Sequence, residues 1–471
     1  MPRRWRALVA LLAGVIMGPI DASIVNINLP VIAADLAVTP DRVGWVSMAY
    51  LLVLGTLLLP FGRLGDILGL KRIYLAGLLV FVVTSATCAL AGGLGTLVTF
   101  RALQALGAGM TMAMAPAIIT ALFPPQERGR ALGLNGMTVA LGLSLGPTLG
   151  GWLGDAFGWR SIFLVNVPVG LVAYLMCRRM LPPFQPREAS HSFDARGTLL
   201  ACLSLTCLLV GATRGPASGH ALPHLALGAV GVALAVLFVR VEKRLSEPML
   251  DISLFGNPIF SAGIAAAWLN FVAQYVVVFV TPFYLERVAG LRPGHAGSIM
   301  TASPLTVLVV APLAGALSDQ VGHRWPALAG LTLCAVAAAS MLGLGPHPSA
   351  TAVAWRLSLF GLGTGLFQSP NNSAVMGAVP RHRLGVAGGT LATARNVGMA
   401  FGIALASTVL AVRQPAHAAA GAPNPFFASV RDAWLAALVV ALVALALQFW
   451  LVSVPDAGSP GSQRPRDPGH P

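Results

Sequence analysis

Asp21 is the residue whose chemistry most needs a partner. It sits in Gly18-Pro19-Ile20-Asp21-Ala22-Ser23-Ile24-Val25-Asn26-Ile27-Asn28-Leu29-Pro30, within an apolar run that begins at Ala7. A charged, unpaired carboxylate at membrane depth is costly, so its presence predicts a working site. Arg101 is the candidate cation. It falls roughly 9 Å of helical rise from the outer end of its span, and Asp21 roughly 13 Å from the outer end of its own. Gln104 lies one turn from Arg101 on the same face. Two readings are open for Arg101: an ion pair with Asp21, or a side chain snorkelling to the outer surface.

Further polar groups interrupt later apolar runs: Asn270, Gln274 and Tyr275, then Gln368, Ser369, Asn371 and Asn372, then Arg395 and Asn396. Together with Asn26 and Gln104 they are candidates to line a cavity for an amphipathic organic ligand. The other reading of each is hydrogen bonding between helices. There is no nucleophile elbow and no Walker-type phosphate loop, so neither an enzyme nor ATP hydrolysis is expected. The five cysteines lack metal spacing, and neither a metal site nor another cofactor is expected.

These residues need a membrane scaffold. The chain has 471 residues, 56% hydrophobic and only 10% charged. Soluble domains carry about 25% charged residues. Apolar stretches of spanning length fall near 7–29, 42–60, 72–92, 97–122, 131–154, 161–180, 197–213, 221–241, 258–285, 295–317, 325–344, 351–378, 385–411 and 432–453. That predicts an all-α integral membrane protein with fourteen transmembrane helices. The net charge of +14 comes from basic residues in short loops, without the continuous stripe a nucleic acid would need. With both termini cytoplasmic, Arg and Lys favour the inner loops by about three to one.

The sequence also repeats. Gly62-x-Leu64-x-Asp66-x-x-Gly69-x-Lys71, followed by Arg72, recurs as Gly315-x-Leu317-x-Asp319-x-x-Gly322-x-Arg324, an offset of 253 residues (315 less 62). Arg101, Gly107, Gly109 and Pro116 are echoed by Arg356, Gly363, Gly365 and Pro370. Two parallel six-helix halves follow, with two helices left over. The expected divisions are an N-terminal bundle over 1–181, carrying Asp21 and Arg101, and a two-helix insert over 182–247. A C-terminal bundle over 248–455 would supply most of the cavity, ahead of a disordered cytoplasmic tail over 456–471. The repeated loop reads as a cytoplasmic gate. Between Gly142 and Gly151 the spacing of Gly142, Gly146, Pro147, Gly150 and Gly151 predicts a flat helix face for close packing and a kink.

These residues resemble the major facilitator superfamily, and within it the fourteen-span drug:proton antiporters of the EmrB/QacA type. Asp21-x-x-Ile24-Val25-Asn26-x-x-Leu29-Pro30 resembles that group's first-span motif, and Arg101-x-x-Gln104 its proton-coupling motif. Gly142–Gly151 is similar to the antiporter motif, and Trp159-Arg160-x-Ile-Phe163-x-x-Asn166-x-Pro168-x-Gly170 also fits. Ala105, Ile67 and Leu70 depart from the usual pattern. The resemblance implies the major facilitator fold, two six-helix bundles plus two extra helices. It implies proton-driven efflux of small lipophilic or cationic organic compounds from the cell membrane, with Asp21 and Arg101 as the coupling pair. Proton and substrate would exclude each other at Asp21. An exporter of an endogenous metabolite and an uptake symporter are the alternatives. Expected partners are the substrate, protons and the bilayer; a monomer is expected, with a periplasmic adaptor left open.

Overall fold

The computed structural model describes residues 3–184, 194–214, 221–245, 250–380 and 383–453; the expected tail over 456–471 lies outside them. It contains 14 helices long and apolar enough to cross a membrane. Spans 1 to 7 are Arg3–Asp35, Pro40–Leu68, Leu70–Ala89, Leu94–Leu122, Gln126–Phe157, Ser161–Met180 and Ala195–Thr213. Spans 8 to 14 are Leu222–Glu242, Pro258–Val288, Pro293–Val321, Arg324–Met341, Ala350–Gly377, Leu384–Ala419 and Pro425–Phe449. No strand occurs among the described residues. Helices satisfy every backbone group within one segment, as hydrocarbon requires.

Spans 1–6 and spans 9–14 close into bundles through the same neighbours. Span 1 packs on 5, span 2 on 4, and span 3 on 4 and 6; likewise span 9 packs on 13, span 10 on 12, and span 11 on 12 and 14. The repeat is sharpest at the hairpin glycines. Gly69 has φ 94° and Gly322 φ 81°, both in the left-handed region. A side chain there costs roughly 1–2 kcal/mol. Gly69→Ala is therefore expected to lower the thermal midpoint of the detergent-solubilised protein by the equivalent of about 1 kcal/mol. An unchanged midpoint would show that the turn tolerates a Cβ. Around Gly62, by contrast, open space surrounds the position of its would-be Cβ.

Spans 7 and 8 form a hairpin of their own. Gly211 abuts the span 8 backbone at Gly228, and Ser204 donates to the Gly231 carbonyl at 2.9 Å. Span 7 also packs on spans 2 and 13, with the Thr408 hydroxyl donating to the Ala212 carbonyl at 3.0 Å. The insert thus lies along a seam between the halves.

The halves meet along two pairs, span 2 with 13 and span 5 with 10. Contact is tight toward the face opposite the chain termini. There Thr148 and Thr301 hydroxyls lie 2.6 Å apart, and Arg292 donates to Asp155 at 3.0 Å. Gly151 lies against the Pro293 carbonyl and Gly297 against that of Pro147, where no Cβ would fit. On span 2, Gly44 abuts Ser407 and Ile403, and Thr393 donates to the Gly55 carbonyl at 3.0 Å. Toward the termini-bearing face the packing around span 5 loosens. Gly129, Gly133 and Gly136 have nothing within 4 Å of a would-be Cβ. Leu313, Leu317 and Val321 of span 10 are exposed at that end. Spans 5 and 10 are thus closed at one face and parted at the other, while toward that second face span 2 still meets span 13, with Leu59 against Gly389.

Candidate functional site

Span 1 is broken once, between helical segments Arg3–Val15 and Met17–Asp35. Gly18 and Pro19 occupy the first turn of the second segment, where proline's missing N–H costs no helical bond. Asp21 follows just beyond that turn and is 0% exposed. Its Oδ2 accepts from Arg101 Nη1 at 2.5 Å, and its Oδ1 from Gln104 Nε2 at 3.0 Å and Asn166 Nδ2 at 2.9 Å. Arg101 is itself 1% exposed. Its Nη1 also donates to Gln104 Oε1 at 2.6 Å, and its Nε to the Val46 carbonyl at 3.2 Å. Gln104 Nε2 reaches Ser85 Oγ at 2.7 Å. The guanidinium lies over the Tyr50 ring, 4.1 Å from its centroid.

The network therefore ties spans 1, 2, 3, 4 and 6 around one ion pair. Of the two readings of Arg101, the pair with Asp21 is the one the structure adopts. Charge-assisted bonds of this kind are roughly twice as strong as neutral ones. Breaking a buried pair costs about 3–5 kcal/mol, because the survivor is left uncompensated. Gln104 belongs to this network instead of lining a space between the halves. Asn26 also lies within the first half, accepting from Ser47 Oγ at 2.8 Å. Asp21 is sealed from the space between the halves, so in this conformation an organic ligand does not touch it.

The arginine repeat does not extend to its chemistry. Arg356 donates to the Ser340 carbonyl at 2.9 Å and the Ala352 carbonyl at 2.6 Å, with no acid in the set. The ion-pair network belongs to the first half alone.

Span 5 has two working faces. Gly142, Gly146, Gly150 and Gly154 lie on span 1, against Pro19, Ser23, Ile24 and Asn28 in turn. This stripe presses directly on the segment that carries Asp21. Pro147 and Gly151 lie on another face and meet span 10 of the other half. In the second half, Gly398 and Gly402 of span 13 pack on Trp268, Phe271, Val272 and Tyr275 of span 9. The second half thus repeats the packing without the proline.

The remaining predicted polar residues divide. Asn371 donates to the Gly263 carbonyl at 3.1 Å, which fits the reading of a bond between helices, whereas Asn396 donates within its own helix, to the Ala392 carbonyl at 3.0 Å. Gln368 and Asn372 are half-buried. Asn270, Gln274, Tyr275 and Arg395 behave differently. Neither amide atom of Asn270 has a partner, and Gln274 Oε1 and Arg395 Nε are likewise buried without one. Tyr275 is an electrostatic neighbour of both Arg395 and Tyr50. Tyr50 therefore stands between the Asp21–Arg101 pair and the polar group of the second half, its hydroxyl also unpartnered.

At the gate loop, Lys71 Nζ donates to the Arg178 carbonyl at 3.0 Å and to the Leu181 carbonyl, capping the end of span 6. Arg72 and Asp319 are exposed, while Asp66 and Arg324 are half-buried. Arg324 and Asn371 border a cavity of about 20 Å³ with Gln448. No cluster of three or more metal-ligating side chains occurs among the described residues.

Sequence reasoning named Asn166 only within a family motif, without a role at Asp21, and missed Ser85, Tyr50 and the Val46 carbonyl. Asn166 had a signal, a lone amide in the apolar start of span 6. The carbonyl had none, since any residue supplies one.

The family profile described as the Major Facilitator Superfamily matches residues 11–403 and 264–468. The riboflavin transporter RibZ of Clostridioides difficile is 35% identical over 87% of this chain and 89% of that protein. The multidrug resistance protein Stp of Mycobacterium tuberculosis (strain H37Rv) is 34% identical over 86% of this chain and 75% of its own length. The tetracenomycin C resistance and export protein of Streptomyces glaucescens is 31% identical over 87% of this chain and 77% of its own length. Among solved structures, a bacterial homolog of the human lysosomal transporter Spinster, inward-facing and unoccupied, aligns with TM-score 0.67 at 16% identity. That alignment covers 96% of this chain and 97% of the other. The peptide transporter POT aligns with TM-score 0.70 at 14% identity over 96% of this chain and 99% of its own. At these identities the likeness to solved structures speaks for the fold. The chain belongs to the major facilitator superfamily, as a multi-pass membrane transporter, not an enzyme, whose relatives include multidrug and antibiotic exporters.

Proposed function

We propose that the protein exports small lipophilic organic compounds across the cell membrane in exchange for protons, by alternating access. The observation that carries this reading is the fully buried Asp21–Arg101 pair, held by side chains of four spans and a backbone carbonyl of a fifth. Protonating Asp21 removes the counter-charge of Arg101 and turns an acceptor oxygen into a donor. Every bond in the network must then readjust, and span 5, seated on the Asp21 segment, transmits the change to its seam with span 10. A ligand shifts such an equilibrium only through differential affinity for its states. Proton and substrate thus exclude each other through the conformations they favour, without sharing atoms.

The termini are placed on the cytoplasmic side by the loop charges. The parted face is then the inner one, and the conformation is inward-open. No cofactor or ATP is assigned to the cycle, and the transporting unit is proposed to be a monomer.

The test uses inside-out vesicles energised to an acid lumen, with a pH-sensitive dye inside and an antibiotic panel outside. Addition of a transported compound is expected to release protons from the lumen in wild-type vesicles and not in empty ones. A relative is described as a riboflavin transporter, a name that leaves the direction of transport open, and uptake by symport predicts proton movement of the opposite sign. Transport without any proton movement sinks both readings.

A further inference from the structure

Arg395 is a cation without an anion. It lies about 16 Å along span 13 from Leu384 by helical rise, at mid-membrane depth. Among the described residues it forms no ion pair, its Nε is buried without a hydrogen-bond acceptor, and its one electrostatic neighbour is the neutral phenol of Tyr275. The Phe271 ring, 5.9 Å away by centroid, is its remaining contact of note. Asp21 cannot serve it, because its acceptor oxygens are already engaged by Arg101, Gln104 and Asn166. A charge at membrane depth is retained where something compensates it.

Span 9, which packs on span 13, carries groups that lack partners in the same way. Asn270 and Gln274 are one turn apart on span 9, so their side chains share a face. Asn270 is 1% exposed with both amide atoms unpartnered, and Gln274 Oε1 is unpartnered too. Buried polar atoms are nearly always bonded, so orphans on the same stretch of span 9 as Phe271 and Tyr275, the two rings beside Arg395, mark a place that a ligand completes. Arg395 itself is only partly buried, which leaves its guanidinium reachable.

We propose that Arg395, Asn270, Gln274 and Tyr275 form an anion-recognising subsite that selects compounds carrying an ionised acid, a carboxylate or acidic phenol, on an aromatic frame. Arg395 supplies the counter-charge, Tyr275 and the Asn270 amide donate to the acid, and Gln274 Oε1 accepts from a neighbouring hydroxyl or N–H. Phe271 offers a flat apolar wall. The inference rests on the reading of the chain as an exporter and narrows its substrates. At this subsite it replaces the expectation of a cationic compound, since the charge without a partner there is positive.

The experiment is a thermal-shift titration of the full chain in detergent, where no gradient exists and transport is not read. The probes are naphthoate and naphthylmethylammonium, one ring system with opposite charges, in gluconate buffer and again in chloride. Naphthoate is expected to stabilise the wild type and the ammonium not to. Arg395→Gln should require at least about tenfold more naphthoate, the worth of one charge-assisted bond, and Arg395→Lys an intermediate amount. Without ligand, Arg395→Gln should melt at or above the wild-type midpoint, because an uncompensated charge has been removed. The proposal is overturned by an unchanged titration in Arg395→Gln, by preference for the ammonium, by chloride alone reproducing the shift, or by no response to naphthoate. Loss of proton exchange in vesicles would sink the antiport reading and leave these midpoints unmoved.

Discussion

Asp21→Asn yields a folded protein that binds its substrate and cannot move it uphill. The amide keeps the shape of the carboxylate. It can still accept from Asn166 and Gln104, while Arg101 keeps the Val46 carbonyl and Gln104 Oε1 as acceptors. What disappears is the titrating charge. Proton-driven export should fall to the level of empty vesicles, whereas downhill exchange of substrate should persist. Stability should fall too, toward the roughly 3–5 kcal/mol lost when a buried pair loses one member, softened by the acceptors Arg101 retains. Adding Arg101→Gln should recover stability, since replacing both charges is often neutral, and should not recover export. Uphill export by Asp21→Asn at wild-type rates would remove Asp21 from the coupling step.

The second large effect separates two glycines five residues apart. Gly146→Leu drives a branched side chain into Ser23 and the Ile20 carbonyl, within the first half. Span 5 must leave span 1, and the Asp21 network loses its support. Gly151→Leu drives the same side chain into the Pro293 carbonyl and Gly294, across the seam. The first half remains intact, but the face opposite the termini can no longer close. Gly146→Leu is therefore expected to lower the melting midpoint or abolish expression, as overpacking of about 1–3 kcal/mol or more does in a tight core. Gly151→Leu should express and melt near wild type, yet become reactive to a membrane-impermeant thiol reagent at a cysteine placed on Thr301. Equal outcomes for the two would mean that span 5 has one packing role, not two.

The helices were legible because bilayer thickness demands an apolar run of fixed length. Their ends were less so. The first span was expected over 7–29 and runs Arg3–Asp35; the second was expected over 42–60 and runs Pro40–Leu68. Hydropathy reports where the hydrocarbon ends, whereas the backbone continues its hydrogen bonds into the polar ends. Asp21 and Arg101 were legible as a pair because depth along a helix can be counted. Which way a side chain faces cannot be counted without the neighbours, and that is why Asn26 and Gln104, expected in the cavity, belong to the first half. Asn270, Gln274 and Arg395 read as ordinary polar interruptions. Only the three-dimensional arrangement reveals that their partners are missing.

One buried acid in the network, with no counterpart beside Arg356, has an electrical consequence. On the proposed antiport, a single exchangeable site would carry one proton inward per turnover. If the outgoing compound were a monovalent cation, the exchange would be silent to voltage. An outgoing monoanion adds its charge movement to that of the proton, so two positive equivalents enter per cycle. At about 2.3 kcal/mol per charge for each 100 mV, a potential of that size contributes about 4.6 kcal/mol, roughly a two-thousandfold gradient, before any pH difference is counted. The charge on Arg395 would thus decide whether this protein draws its power from acidity alone or chiefly from voltage.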